Sequence, residues 1–169
     1  MLNYHLDKEY RKFLLEEQVQ NNGRLYFNIA YKILGNAEAS EDVCQKAFLK
    51  AWDNLETIRN MSTIKSWISK VIVNEAFQIV RRRKIADKVF NKYSGDFAED
   101  DNTNNQIELK PVIREALSQL SEPMRTIVVL RAMQKMPGRE VAAALDCSES
   151  KVSRLFYEGL EKLREFLSS

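Results

Sequence analysis

Between Ser62 and Lys84 the apolar residues Ile64, Trp67, Ile68, Val71, Ile72, Ile79 and Val80 recur at three- to four-residue intervals. That is the spacing of one buried stripe along an α-helix. Ser62 or Thr63 stands where a cap accepts bonds from the first free backbone N–H groups, and the helix is expected to end in Arg81-Arg82-Arg83-Lys84. Upstream, residues 5–20 predict a helix with Leu6, Tyr10, Phe13, Leu14 and Val19 on one side, stopped by Asn21-Asn22-Gly23. Leu25 to Leu34 predicts a second helix closed by Gly35. Ser40 opens a third, whose inward set is Val43, Ala47, Phe48, Ala51, Trp52 and Leu55.

The pattern changes after Lys84. Asp96 to Asn105 is acidic and polar with almost nothing to bury, which predicts a flexible linker and a domain boundary over 90–108. Beyond it, Pro111 to Leu120 is helical, with Val112, Ile113, Ala116, Leu117 and Leu120 inward. Ser121-Glu122-Pro123 reads as a cap with proline in a first turn, followed by a helix over Met124 to Met133. Pro137-Gly138 breaks the chain, Arg139 to Leu145 forms a short alanine-rich helix, Asp146-Cys147-Ser148 a turn, and Glu149 to Leu167 a last helix. A short helix, a tight turn and a longer helix make a helix-turn-helix, because steeply crossing helices need small side chains where they meet. An ordinary helical hairpin shares the pattern. The expected fold is all-α: two small helical domains, 1–89 and 109–169, joined by the acidic linker.

Composition narrows the function. At 44% hydrophobic and 30% charged, with five glycines and three prolines, the 169 residues suit a helix-rich globular protein. A net charge of +2, from 26 Lys+Arg against 24 Asp+Glu, says nothing of nucleic acid by itself. Four consecutive cations at a helix end exceed what the helix dipole calls for, at ~0.3–1 kcal/mol each, although a solvated end remains compatible with them. Cys44, Cys147 and the single His5 make no metal site, and the cysteines read as reduced thiols of a cytoplasmic protein. No metal, cofactor, leader or membrane-spanning run is expected. Nor is catalysis, since no phosphate loop, nucleophile–base pairing or paired carboxylates stand out.

With both halves placed, the chain resembles the extracytoplasmic-function group of bacterial RNA polymerase sigma factors. SEDVCQKAFLKAWDNL is similar to that family's polymerase-docking helix through Asp42, Gln45, Phe48 and Trp52, flanked by Lys46 and Lys50. IRNMSTIKSWISKVIVNEAFQIVRRRK resembles its promoter-melting segment through Arg59, Ser62, Trp67, Asn74 and the arginines. ALSQLSEPMRTIVVLR and REVAAALDCSESKVSRLFYEGLEKLR resemble its second domain through Leu120, Glu122, Arg125, Arg131, Glu140, Ala142, Ser148, Val152, Gly159 and Leu163.

The resemblance implies a polymerase subunit rather than an enzyme, with core RNA polymerase, promoter DNA (duplex and melted strand) and an anti-sigma factor as partners. Domain one would melt the minus-ten element and domain two would bind the minus-thirty-five element. Residues Arg59, Asn60 and Ser62 would wall a pocket for flipped bases, and Asn74 would meet the displaced strand. Lys65, Lys70, Arg81, Arg82 and Arg83 would neutralise phosphates. In domain two, Arg139, Ser148, Ser150, Lys151, Ser153 and Arg154 would approach the major groove. Read without the resemblance, Asn74 is a polar residue on a solvated face, and Trp67 belongs first to the core. Two departures stand out: Glu158 and Glu161 interrupt the usual basic run, implying weak upstream-element binding, and Lys135 occupies a position where the family tends to have glycine. A helix-turn-helix regulator with an N-terminal sensor or dimerisation module is the alternative.

Overall fold

The computed structural model describes residues 3–58, 60–93 and 109–168. Its helices are α1 (Asn3–Leu34), α2 (Ala37–Asp53), α3 (Ile64–Tyr93), α4 (Pro111–Gln119), α5 (Glu122–Val128), α6 (Gly138–Ala144) and α7 (Glu149–Ser168). The architecture is all-α. In the first half α1, α2 and α3 pack around Tyr26, Ile29, Ile33, Val43, Ala47, Ile64, Ile68 and Ile72, all fully buried. In the second, α4 to α7 enclose Leu117, Ile127, Val129 and Leu130. Each such side chain contributes ~1.5–3 kcal/mol on leaving water.

Several boundaries differ from the expected ones. The stop at Asn21-Asn22-Gly23 does not occur, and α1 is one helix of 32 residues. A glycine in a helix interior costs only ~1 kcal/mol, less than the burial of Leu15 and Tyr26 on either side of it. Gln18 helps across the join by accepting from Asn22 Nδ2 at 2.9 Å and from the Tyr26 hydroxyl at 3.2 Å. In the continuous helix the buried stripe runs through Leu15, Tyr26, Ile29 and Ile33, leaving Tyr10 and Phe13 exposed rather than inward. Gly35 does close the helix, at φ 63° with its N–H on Tyr31 O.

Asn36, not Ser40, caps α2, its side chain accepting from Ala39 N at 2.8 Å. Ser40 is inside the helix and fully buried, its hydroxyl turned back on Asn36 O at 2.6 Å. Asn60 takes the capping role expected of Ser62 or Thr63. It opens a 3-10 turn, Met61–Thr63, that leads into α3. That helix does not end at Lys84 but continues to Tyr93, so the four cations lie mid-helix and the macrodipole has no part in them. Val112 and Trp52 were expected inward and are exposed. Residues 94–108, which carry most of the expected linker, lie outside the described residues.

The helix-turn-helix is present, and its turn shows how helices end. Asp146 sits at φ 50°, Cys147 N donates to Ala142 O at 3.0 Å and Asp146 N to Ala143 O at 3.4 Å. This is a Schellman closure with aspartate in the left-handed position that glycine normally fills. Ser148 then caps α7, accepting from Lys151 N at 3.2 Å. Ahead of α6 a π-helical stretch, Val129–Met133, is followed two residues on by a second left-handed residue, Lys135 at φ 52°.

Candidate nucleic-acid and polymerase interface

On α2 the inner stripe of Val43, Ala47 and Ala51 is fully buried or nearly so. Gln45, Phe48, Leu49 and Trp52 repeat at i, i+3, i+4 and i+7, which is a second stripe about 150° around the helix. With Leu15 and Val19 of α1 they line an apolar groove of about 500 Å³ that is open to solvent. Leu49 is 63% exposed and Trp52 47%, while Lys12 lies 5.6 Å from the Trp52 ring centroid. Asp42 and Lys46 are exposed beside the groove. Lys50 points the other way and is ion-paired with Glu75 of α3. Leu49 escaped the sequence reading, although an apolar residue off the inner stripe was the available sign.

A second surface runs along α3. Lys70, Asn74, Phe77, Arg81 and Lys84 fall within a narrow sector of the helix, spaced by four, three, four and three residues. The second half of the chain lies against this sector. Asn74 donates through Nδ2 to Glu122 Oε1 at 2.9 Å and accepts from the Thr126 hydroxyl at 2.8 Å, so both ends of its amide are engaged. Lys70 donates to Ala144 O at 2.9 Å, at the negative end of α6. Burial lowers the Lys70 pKa, while Glu122 and Asp146 oppose that shift.

Arg125 is buried, its guanidinium 4.6 Å from the Phe77 ring centroid. Its Nη1 donates at 3.4 Å to Leu120 O and its Nε has no partner. Desolvation, and then the nearby Arg81, lower its pKa. Lys84 is ion-paired with Glu115, and chiefly that hydrogen bond holds the Glu115 carboxyl below the usual range.

The arginine run therefore divides by direction. Arg81, Arg82 and Arg83 are all exposed. Arg81 faces the second half, while Arg83 Nη1 donates to Leu34 O at 3.3 Å, at the C-terminus of α1. At the head of α3, Asn60 Oδ1 accepts from Ser62 N at 3.0 Å and from Ser62 Oγ at 2.7 Å. Arg59 lies outside the described residues. A pocket of about 350 Å³ is lined by Asn60, Thr63, Trp67 and Lys70 on one side and Ala143, Ala144 and Asp146 on the other. Trp67 is half-buried, packed on the core yet turned to this pocket, with Lys70 Nζ 5.9 Å from its ring centroid. Ser62, Lys65 and Arg139 share an adjoining cleft of about 500 Å³.

At the cap and along the first two turns of α7, Ser148, Ser150, Lys151, Ser153 and Arg154 are exposed. Arg154 Nη1 meets Glu158 Oε1 at 3.2 Å, a surface pair of little energetic weight.

The chain thus joins a helix-turn-helix half to a helical half that carries an open apolar groove and a helix face of cations and an amide. Residues 18–85 match Sigma-70 region 2 and residues 111–163 match Sigma-70, region 4. Relatives include the RNA polymerase sigma factor SigV of Bacillus subtilis, 26% identical over 160 residues covering 93% of each chain. The ECF RNA polymerase sigma factor SigW of the same organism is 22% identical, covering 83% of this chain and 82% of its own. Among solved structures, the sigma factor RpoE from Bartonella quintana, crystallised with the anti-sigma factor NepR, has the same fold. It gives a TM-score of 0.55 at 16% identity and covers 90% of this chain and 96% of that one. The chain belongs to the extracytoplasmic-function sigma factors. It is an alternative sigma factor that directs transcription initiation.

Proposed function

We propose that the α2 groove docks core RNA polymerase through Gln45, Phe48, Leu49 and Trp52, with Asp42 and Lys46 at its rim. Residues 59–66 and the Lys70–Asn74–Arg81 sector of α3 hold the melted minus-ten strand, and the first two turns of α7, with Arg139, meet the minus-thirty-five element. Residues 1–89 and 109–169 act as two units in this work, which belongs to the cytoplasm and involves no catalysis. An anti-sigma factor is the further partner, and the groove offers it the same apolar face as polymerase.

The observation that carries this reading is the partnering of the α3 sector. Its amide and ammonium groups take a carboxylate, a hydroxyl and a backbone carbonyl from the second half. These are the kinds of group that strand bases and phosphates present. With those partners in place Lys70 and Asn74 are engaged while Arg81 stays exposed, so strand binding at the first two requires the halves to part. Reconstitution tests the reading: the chain with core polymerase is expected to select a promoter from a randomised library and transcribe from it. Failure to bind core polymerase would end the proposal. Tight duplex binding without polymerase would favour the regulator alternative.

A further inference from the structure

The first turns of α1 lie ahead of the stretch that matches region 2, which begins at residue 18. Lys8, Arg11 and Lys12 fall there at i, i+3 and i+4, on one face. That face meets the end of α2 and the turn after it. Arg11 Nη1 donates to Leu55 O at 2.7 Å and to Ile58 O at 2.8 Å, so one guanidinium nitrogen spends both its protons on two carbonyls of the same turn. Lys8 Nζ reaches Glu56 Oε1 at 3.3 Å, and Lys12 stands over the Trp52 ring. The Lys8 pair is exposed on both sides and weak. The Arg11 bonds are charge-assisted, half-buried and roughly twice as strong as neutral ones.

The turn held in this way runs directly into the residues proposed to read the strand. Leu55 and Ile58 are 5% and 6% exposed, so their side chains are fixed inward while their carbonyls are held by Arg11. One residue beyond Ile58 and Arg59, Asn60 caps Met61–Thr63. The loop is thus pinned at its back by its own cap and at its front by a cation from α1, some 44 to 47 residues away in sequence. A loop pocket works only if its walls keep their geometry when bases are absent, because ordering it on binding would subtract from affinity.

We propose that Arg11 is a positioning residue for the strand-reading turn over 60–63. This rests on the promoter-melting reading above. The test compares Arg11→Gln and Arg11→Lys with the unaltered chain in three measurements. The first is backbone amide exchange at Asn60 to Thr63 in the chain alone. The second is affinity for core polymerase. The third is opening by holoenzyme of a library-selected promoter carrying 2-aminopurine in its minus-ten element.

For Arg11→Gln, exchange at residues 60–63 is expected to rise about tenfold and opening to fall about tenfold, with core affinity unchanged. Arg11→Lys keeps the charge and should recover part of both. Unchanged exchange or unchanged opening in Arg11→Gln overturns the proposal, as does equal loss of core binding and opening. If the unaltered chain binds no core polymerase or selects no promoter, the melting reading fails first. The exchange measurement still reports on the clamp by itself.

Discussion

Lys135 and Asp146 are the two non-glycine residues with positive φ among those described, and both terminate a helix of the second half. For an L-residue the left-handed region costs ~1–2 kcal/mol, while aspartate offsets part of that by local hydrogen bonding. Lys135→Gly is therefore expected to raise stability by ~0.5–1 kcal/mol, and Asp146→Gly by less, read as midpoint shifts in urea. A loss of stability in Lys135→Gly would show that the lysine makes a compensating contact.

Gly159 is the opposite case. A Cβ there would stand 2.7 Å from Val128 Cγ2 and 3.0 Å from Met124 Cγ, where α5 and α7 cross. The helix propensity gained by Gly159→Ala, ~1 kcal/mol, is outweighed by the displacement it forces, and a net loss of ~1–2 kcal/mol is expected. Thermal unfolding would register it as a fall of several degrees. The sequence singled out Lys135 and Gly159 but not their geometry. A left-handed φ and a close crossing become visible only once the neighbouring helix is in place.

At the scale of elements, α2 shows what periodicity conveys. Its inner stripe was legible because burial selects apolar residues at one spacing. On the second stripe Phe48 is half-buried against the core, as its spacing implies, but Trp52 is exposed, since an apolar residue in a helix carries no label for the face it occupies. Helix ends were the weakest part for a related reason. Asn-Asn-Gly is a stop signal worth ~1 kcal/mol, and tertiary packing on both sides of residue 23 overrides it. The exposure of the α2 groove leads to a mutational expectation. Leu49→Lys alters a side chain 63% exposed, so folding stability should change by less than ~0.5 kcal/mol, while Trp52→Glu also gives up the packing of Lys12 over the ring and is compared by its own unfolding midpoint. Core polymerase affinity should fall at least ~30-fold for Trp52→Glu, the loss typical of a buried aromatic anchor. Equilibrium titration of labelled core enzyme separates the two effects. Unchanged affinity would remove the groove from the docking surface.

For the whole molecule, the contact between the halves was the part least open to sequence reasoning. Glu115 and Glu122 read locally as ordinary helix charges, and nothing in their spacing points to residues 31 and 48 positions away. The contact mixes these polar groups with apolar burial, since Phe77 is 2% exposed beneath Arg125 and the buried apolar residues of the two halves form one cluster. The Lys84–Glu115 pair is more than a third exposed on both sides, so screening leaves it modest. Against it stands Arg125, 4% exposed and, among the described residues, without an ion pair, its Nε unbonded and only the Phe77 ring beneath its guanidinium as a partial offset. Removing that charge should tighten closure and reversing the carboxylates should loosen it.

A compact chain of this length has a radius of gyration of ~15–16 Å. Glu115→Lys with Glu122→Gln is expected to raise that value in small-angle scattering, whereas Arg125→Met should hold it low. Acid acts in the same direction as the carboxylate changes. Glu115 has its pKa lowered by closure, so its contribution is complete above the ordinary glutamate pKa of ~4.3 and is lost as pH falls through the lower, closed-state value. Closure should therefore be insensitive to pH between about 6 and 8 and should weaken below about 4. Binding of single-stranded DNA by the free chain, measured near neutral pH, should rise in the Glu115→Lys, Glu122→Gln chain. Equal scattering and equal strand affinity in all three chains would mean that the α3 sector is not gated by the second half.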